Sequence, residues 1–586
     1  MKRWFRRFAR SSGASRLAVG SILRTRVLAG VLCAVLPAAA YAQSDDLRAP
    51  VLGASSNFQF GPQRGKIERL ETLGIVSLRD GLRWKDIERN EGLFDFSQGS
   101  GRQISALAAK GLLGSVTLHP QHPLYDNGDT VTSDEGIAAF ADYVAAVAEQ
   151  FPDVRLEIAN EFNGRSFVSG PARDMTSDER AVLHAHMLAA IAATGRVAPE
   201  RIIGGAAHSV PGSYFAKMLA AGAGGNMGAV TIHPYSSAPE VLADQIEVIR
   251  TLPGMTALAV EITEFGHSET ADPSLAADKF WKGYCAAGLA KVRRLVWYPL
   301  ELRRDGYVAV LGRENQITSM GRAYLFATEK LAQLPLQELW PEDRAVRGCQ
   351  FGPRTAVIWG APREVQLFRE DLTLHSADMT PIDAQRGLDR AQVMVITASE
   401  NAPPLEIPRD IRLGATALIA DTQDSWNYPE TGHDKDFARF LERGETRLPL
   451  HTCLGQDRNG VPWVPYLCSK DVGRIVLTDR NFVLGGSAAT PVSLVHRYTP
   501  QADIQIVLQA DLDINKSSDD GVMLEVVVDG QQIESRLVTG AQALTFAPIA
   551  VRQGSRVDIR ISPSANPKGD AGTYRLSLFD ANLGEF

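Results

Sequence analysis

The chain lacks most features of specialised protein classes. It has no large excess of either charge: 61 Lys and Arg stand against 68 Asp and Glu in 586 residues, a net −7. After position 26 the basic residues are scattered rather than blocked. That pattern offers no footprint for nucleic acid or an anionic membrane surface. Beyond residue 42 no stretch has the roughly 20 apolar residues of a membrane span. Cysteine is scarce, at five residues, and no Cys or His cluster has zinc spacing. No metal and no other cofactor is therefore expected. Internal repeats and low-complexity tracts are also missing.

The N-terminus differs from the rest. Residues 1–26 are Arg-rich without an acid, residues 27–40 are small and apolar, and Ala40-Tyr41-Ala42 has small-x-small form. This predicts a secretory signal at residues 1–42 and export to the periplasm or outside the cell. An uncleaved anchor is the competing reading. Export permits disulfides. Cys33 would leave with the signal, Cys453 and Cys468 flank a Gly- and Pro-containing loop and are expected to bridge, and Cys285 reads as helix core.

The length implies more than one domain. From residue 51 to 335, short apolar runs alternate with helical patterns, eight of each. Eight such units predict an α/β fold, a (β/α)8 TIM barrel. A doubly wound sheet would need a glycine-rich phosphate turn after the first strand, which Gly53 and Gly61 do not form. Residues 336–399 read as a small β-domain and the Pro-containing stretch 400–410 as a linker. Short strands and Gly turns over 411–586 read as an antiparallel, jelly-roll-like β-sandwich.

In a barrel, polar residues at the C-terminal strand ends gather at one mouth. The fourth predicted strand ends at Asn160-Glu161 and the seventh at Glu264, while other ends carry Arg79, His119, His233, Tyr235 and Trp297. Two such carboxylates suit retaining glycoside hydrolysis, with Glu161 as acid/base and Glu264 as nucleophile. The acid must hold a proton, so Glu161 is expected to have a raised pKa. Arg79 and Tyr235 are placed to keep Glu264 ionised, with Arg83 the alternative to Arg79. Asn160 suits a sugar 2-hydroxyl, His119 and His233 line the site or cap the core, and Trp297 offers a flat face for a sugar ring. Glu261 is the rival to Glu264. Strand alternation turns it to the opposite face, towards the helices.

These residues resemble clan A glycoside hydrolases, most nearly family 39. The resemblance is carried by L-R-D-G-L-R-W-K-D-I-E-R-N-E-G-L-F-D-F, A-N-E-F-N-G, I-H-P-Y and I-T-E-F-G in that order, spanning nearly all of 51–335. It implies acid/base and nucleophile roles for Glu161 and Glu264 and matches Asn160; Phe162 departs from the proline often found after the acid/base. Residues 416–586 look similar to accessory β-domains of secreted polysaccharide enzymes, which implies a glycan-binding role. The expected activity is a secreted retaining β-glycosidase acting on a polysaccharide or oligosaccharide. The alternative is an inactive glycan-binding protein on an enzyme-derived barrel. No motif addresses oligomeric state.

Overall fold

The alternating apolar runs form eight parallel strands: β1 (Val51–Ala54), β2 (Leu78–Leu82), β3 (Leu113–Leu118), β4 (Arg155–Ile158), β5 (Ile202–His208), β6 (Ala229–His233), β7 (Ala259–Phe265) and β8 (Arg294–Trp297). The computed structural model describes residues 47–61, 65–383, 387–431 and 436–584. The signal predicted at 1–42 lies outside them. Each strand neighbours the next in the chain, β1 pairs with β8, and a parallel bridge from Ser55 to Arg79 joins β1 to β2. The sheet is a closed barrel with a helix between successive strands.

Those helices start where side chains replace missing backbone partners. Ser133 accepts from the Gly136 amide ahead of Asp134–Gln150, and Thr176 forms a reciprocal box with Glu179 ahead of Ser177–Ala193. Their apolar faces pack on the outside of the strands. Among the described residues no helix is long and apolar enough to cross a membrane.

Two strand boundaries differ from expectation. The first strand stops at Ala54 rather than running to residue 60, because the chain wraps onto Asp80. That carboxylate accepts from the Phe58 and Gln59 amides and the Ser56 hydroxyl. Arg79 consequently lies near the start of β2 rather than at its end.

After the barrel, Leu336–Glu338, Val346–Phe351, Thr355–Gly360, Leu372–Ser376 and Met394–Ala398 make one antiparallel sheet. The stretch expected to be a linker is part of this small domain. Leu405 and Asp410 are buried, Arg369 bonds Asp410 and the carbonyls of Pro403 and Pro404, and Ile411–Leu413 pairs with Val365–Leu367. The sandwich proper begins at Leu418–Asp421, which pairs with the last strand, Ala571–Asp580. Its two antiparallel sheets, of nine and six strands, enclose their own apolar core.

Cys453 and Cys468 are bridged, as the spacing suggests. Cys285 is not simply core: it bonds Cys349, with Cα atoms 5.9 Å apart, and ties the helix Ala276–Leu289 to the small domain. The helical pattern around Cys285 concealed a partner 64 residues away on a strand. Closing a loop of that length restricts the unfolded chain by about 4 kcal/mol. The double variant Cys285→Ala/Cys349→Ala is expected to lose stability of that order in denaturant titration, and a loss below about 1 kcal/mol would contradict the tether.

Candidate active site

The site is built upward from a polar layer inside the barrel. Barrel interiors are usually filled by branched apolar side chains. Here Glu157 of β4 is fully buried at the centre. It receives Arg79 through Nε at 2.6 Å and Nη2 at 2.9 Å, and the hydroxyls of Thr117 at 3.1 Å and Thr263 at 3.0 Å. Burial pushes the Glu157 carboxyl up, but Arg79 and His233 outweigh it and hold it well below the carboxylate range. Burial alone would weaken the Arg79 charge, yet Glu157 and Glu264 more than restore it.

Arg79 reaches from this layer into the mouth. Its Nη1 donates to Glu264 Oε1 at 2.6 Å and its Nη2 to Asn160 Oδ1 at 2.8 Å, so Asn160 presents its amide nitrogen to the cleft. Tyr235 donates to Glu264 Oε2 at 2.8 Å. Arg79, rather than Arg83, is the arginine bonded to Glu264, although Arg83 also borders the cleft. Arg83 pairs with Asp86 at 3.7 Å and lies over the Phe60 ring.

Alternation along β7 does not place Glu264. Thr263 and Glu261 share the inward face, as do Glu157 and Arg155 on β4. Glu261 therefore lies inside the barrel, ion-paired with Arg155 and Arg293, and not towards the helices as expected. The register between β7 and β8 slips between Ile262 and Phe265, and this bulge turns Glu264 into the mouth.

Glu161 is aimed by strain of a different kind. Beyond Ile158 the chain leaves the strand, with Ala159 at φ 66° and Glu161 at φ 43°, the left-handed region that costs non-glycine residues about 1–3 kcal/mol. Flanking bonds hold it there: Ala159 N donates to Leu118 O at 2.9 Å and Phe162 N to Ala206 O at 3.0 Å. The Asn163 side chain clasps His208 through both backbone groups, at 2.8 and 3.1 Å.

Two imidazoles then flank Glu161 Oε1, with His208 Nδ1 and His233 Nδ1 each at 3.1 Å. His233 Nδ1 is also 3.6 Å from Glu264 Oε2. Burial would lower the His233 pKa, but the charge of Glu264 and the bonds to Glu157 and Glu161 push it up to about 9. Burial would likewise raise Glu161, but its hydrogen bonds to His208 and His233 hold it low, opposite to the raised value expected. These shifts favour the proton on His233 over Glu161. One oxygen of Glu161, one of Glu264 and His233 Nδ1 lie within 4.8 Å of one another.

Of the described residues, this trio alone has metal-ligand geometry. Its donor set suits a proton better than a cation: Glu264 already takes a donor on each oxygen, and Arg79 and protonated His233 supply positive charge.

A cleft of about 770 Å³ opens beside Glu264, lined by Arg79, Asn160, His119, Gln59, Phe167 and Tyr298 among others. His119 is neutral, its pKa lowered to about 4 by burial and then by Arg79. Trp297 does not line the cleft. It is fully buried, donates to Val308 O at 2.9 Å and packs edge-on against Phe265 and Phe280, so the next residue, Tyr298, supplies the ring instead. Trp84 borders the cleft but is almost wholly buried, stacked between Tyr125 and Tyr143. Sequence reasoning missed His208 and Glu157. His208 ends β5 and obeys the same strand-end rule. The signal for Glu157 is the alternation of Arg155 and Glu157 in an otherwise apolar strand.

No family model and no curated protein matches the chain. Among solved structures it is similar to a family 39 glycoside hydrolase from Bacteroides cellulosilyticus, at 14% identity and TM-score 0.48, over 60% of this chain and 81% of that one. A family 30 endoxylanase from Clostridium papyrosolvens aligns at 10% identity and TM-score 0.43, over 60% of this chain and 97% of that one. A family 39 β-xylosidase from Caulobacter crescentus aligns at 15% and 0.41, over 60% and 96%. At this level of likeness, the side-chain geometry described above has to carry any reading of the site.

Replacing one partner of a buried ion pair leaves the other uncompensated, at about 3–5 kcal/mol. Glu157→Ala is therefore expected to lose that much stability in urea, and Glu157→Gln, which keeps the shape and one acceptor, distinctly less. Equal losses in the two variants would show that the carboxylate charge is not what Arg79 needs.

Proposed function

We propose that this protein is an exported retaining β-glycosidase acting on a polysaccharide or oligosaccharide. The observation that carries this reading is the facing pair Glu161 and Glu264, with oxygens within 4.8 Å. Retaining enzymes hold their carboxyl groups about 5–5.5 Å apart, whereas inverting ones leave about 6.5–9.5 Å for a water.

In the first step Glu264 attacks the anomeric carbon while the bond to the leaving oxygen breaks. Glu161 gives that oxygen a proton, which it draws from His233 Nδ1. Forming the ester removes the Glu264 charge that favours the imidazolium, so the proton moves towards Glu161 as the bond forms. In the second step Glu161 takes a proton from water, whose oxygen attacks the anomeric carbon and frees Glu264. Arg79 and Tyr235 hold the attacking carboxylate in place throughout. Asn160 is in reach of a sugar hydroxyl.

The direct test is the anomer released from a panel of plant cell-wall and bacterial exopolysaccharides, read by NMR. Retained configuration is expected, and inversion would refute the double displacement. Glu264→Ala should lose roughly 10⁴-fold or more in kcat. Azide should restore part of it as an inverted glycosyl azide, and near-wild-type activity in that variant would reject Glu264 as nucleophile.

The raised His233 value gives a second expectation. A proton with a pKa of about 9 is bound below that pH and lost as pH rises through it. The fall in kcat/KM on the alkaline side should therefore lie near pH 9. His233→Gln should move it down by about two units or more, towards that of a lone carboxyl acid. An unmoved limb in His233→Gln would remove His233 from the proton path.

A further inference from the structure

The hairpin loop at residues 454–465 belongs to the sandwich but sits at the barrel's mouth. It is closed at its base by Cys453–Cys468. Its backbone is bonded to the barrel at the start of the helix Gly212–Ala220: Gly212 N donates to Leu454 O at 2.7 Å and Val210 N to Trp463 O at 3.2 Å. A Cβ on Gly212 would lie 2.8 Å from Leu454 O, so the contact requires a bare backbone. Gln456 and Asn163 exchange two further bonds, at 2.8 and 3.2 Å. Asn163 is the residue that clasps His208.

This anchoring delivers Trp463 to the flank of Glu161. Its ring stands edge-to-face on His208, centroids 5.6 Å apart, and a ring carbon lies 3.7 Å from the place a Cβ on Gly164 would take. Trp463 remains 38% exposed although its loop is bonded down at Leu454, Gln456 and the Trp463 carbonyl. The cleft over Glu264, Arg79 and Asn160 lies to one side of the carboxylate pair, and its lining includes neither His208 nor Trp463. A sugar attacked by Glu264 occupies that cleft. On the glycosidase reading the leaving oxygen lies beside Glu161, which contacts His208, and His208 in turn stands against Trp463.

Resting on the glycosidase reading above, we propose that Trp463, supplied by the C-terminal sandwich, is the platform for the first sugar ring of the leaving group. The substrate class is then a chain with a sugar on that side, an oligosaccharide or polysaccharide rather than a glycoside of a small alcohol. A partly exposed indole offers a flat apolar surface to a pyranose, and the barrel with the sandwich removed would lack it.

The test compares two substrates of the sugar whose release is measured above: its β-linked tetrasaccharide and its β-glycosyl fluoride, whose leaving group is a single atom. In Trp463→Ala the ratio of kcat/KM for tetrasaccharide to that for fluoride is expected to fall about tenfold, mostly through KM. Trp463→Phe, which keeps a flat ring, is expected to restore most of it. A ratio unchanged in Trp463→Ala, or both substrates falling together in both variants, overturns the platform while leaving the glycosidase reading intact. A wild-type protein inert towards every glycan and fluoride refutes that reading, and this proposal with it.

Discussion

The site depends on one guanidinium. Arg79 is forked onto Glu157 beneath it and reaches Asn160 and Glu264 above, so one side chain of β2 ties together β4, the turn beyond it and β7. The energetic value of such a buried pair is small in sum, because desolvation offsets most of the attraction. Its value is geometric. A bidentate fork fixes the guanidinium in two directions, and a lysine could not reproduce that. With Arg79 fixed, the position of Glu264 follows, and Tyr235 completes the clamp from the other side.

The charge distribution above that fork suits a cationic transition state. Three carboxylates, Glu157, Glu161 and Glu264, face two cations, Arg79 and His233. One negative charge is left over where an oxocarbenium-like centre would develop. His233 contributes to this balance only while protonated, and its Nε2 bond to Thr263 at 3.0 Å keeps Nδ1 turned to the two mouth carboxylates. The imidazole thereby couples the ionisation of Glu161 and Glu264. On the proposed mechanism, that coupling lets Glu161 be depressed at rest and still serve as a proton donor once Glu264 is consumed.

Much of this was legible in the sequence, and the failures have physical causes. Eight strand–helix alternations gave the barrel because period-two and period-3.6 patterns are local. Asn160, Glu161, His233 and Tyr235 follow from the rule that strand ends face the mouth. Glu264 reaches the mouth and Glu261 does not, but not by the alternation argument, which assumes an unbroken strand where β7 carries a bulge. Trp297 fails for the complementary reason: β8 continues regularly through it, so its indole enters the core. Glu157 was overlooked because a charge in mid-strand has no local signature of being paired across the barrel. Its partner lies 78 residues away. The linker prediction rested on prolines, which terminate regular structure without saying whether the segment is packed.

The placement of the C-terminal domain follows the same logic of distance. A β-sandwich can pack against a barrel almost anywhere, yet here the contact includes the strained turn that carries Glu161. Asn163 holds His208 with its side chain, receives Arg180 from Ser177–Ala193 at 2.8 Å on its carbonyl, and meets Gln456 of the sandwich on both groups. A left-handed glutamate persists only where its surroundings over-determine it. The bonds that do so come from β3, β5, a barrel helix and the foreign loop together. The sandwich is then part of what keeps Glu161 in its sparsely populated conformation, and separating the two domains would release strain at the residue proposed above as the proton donor.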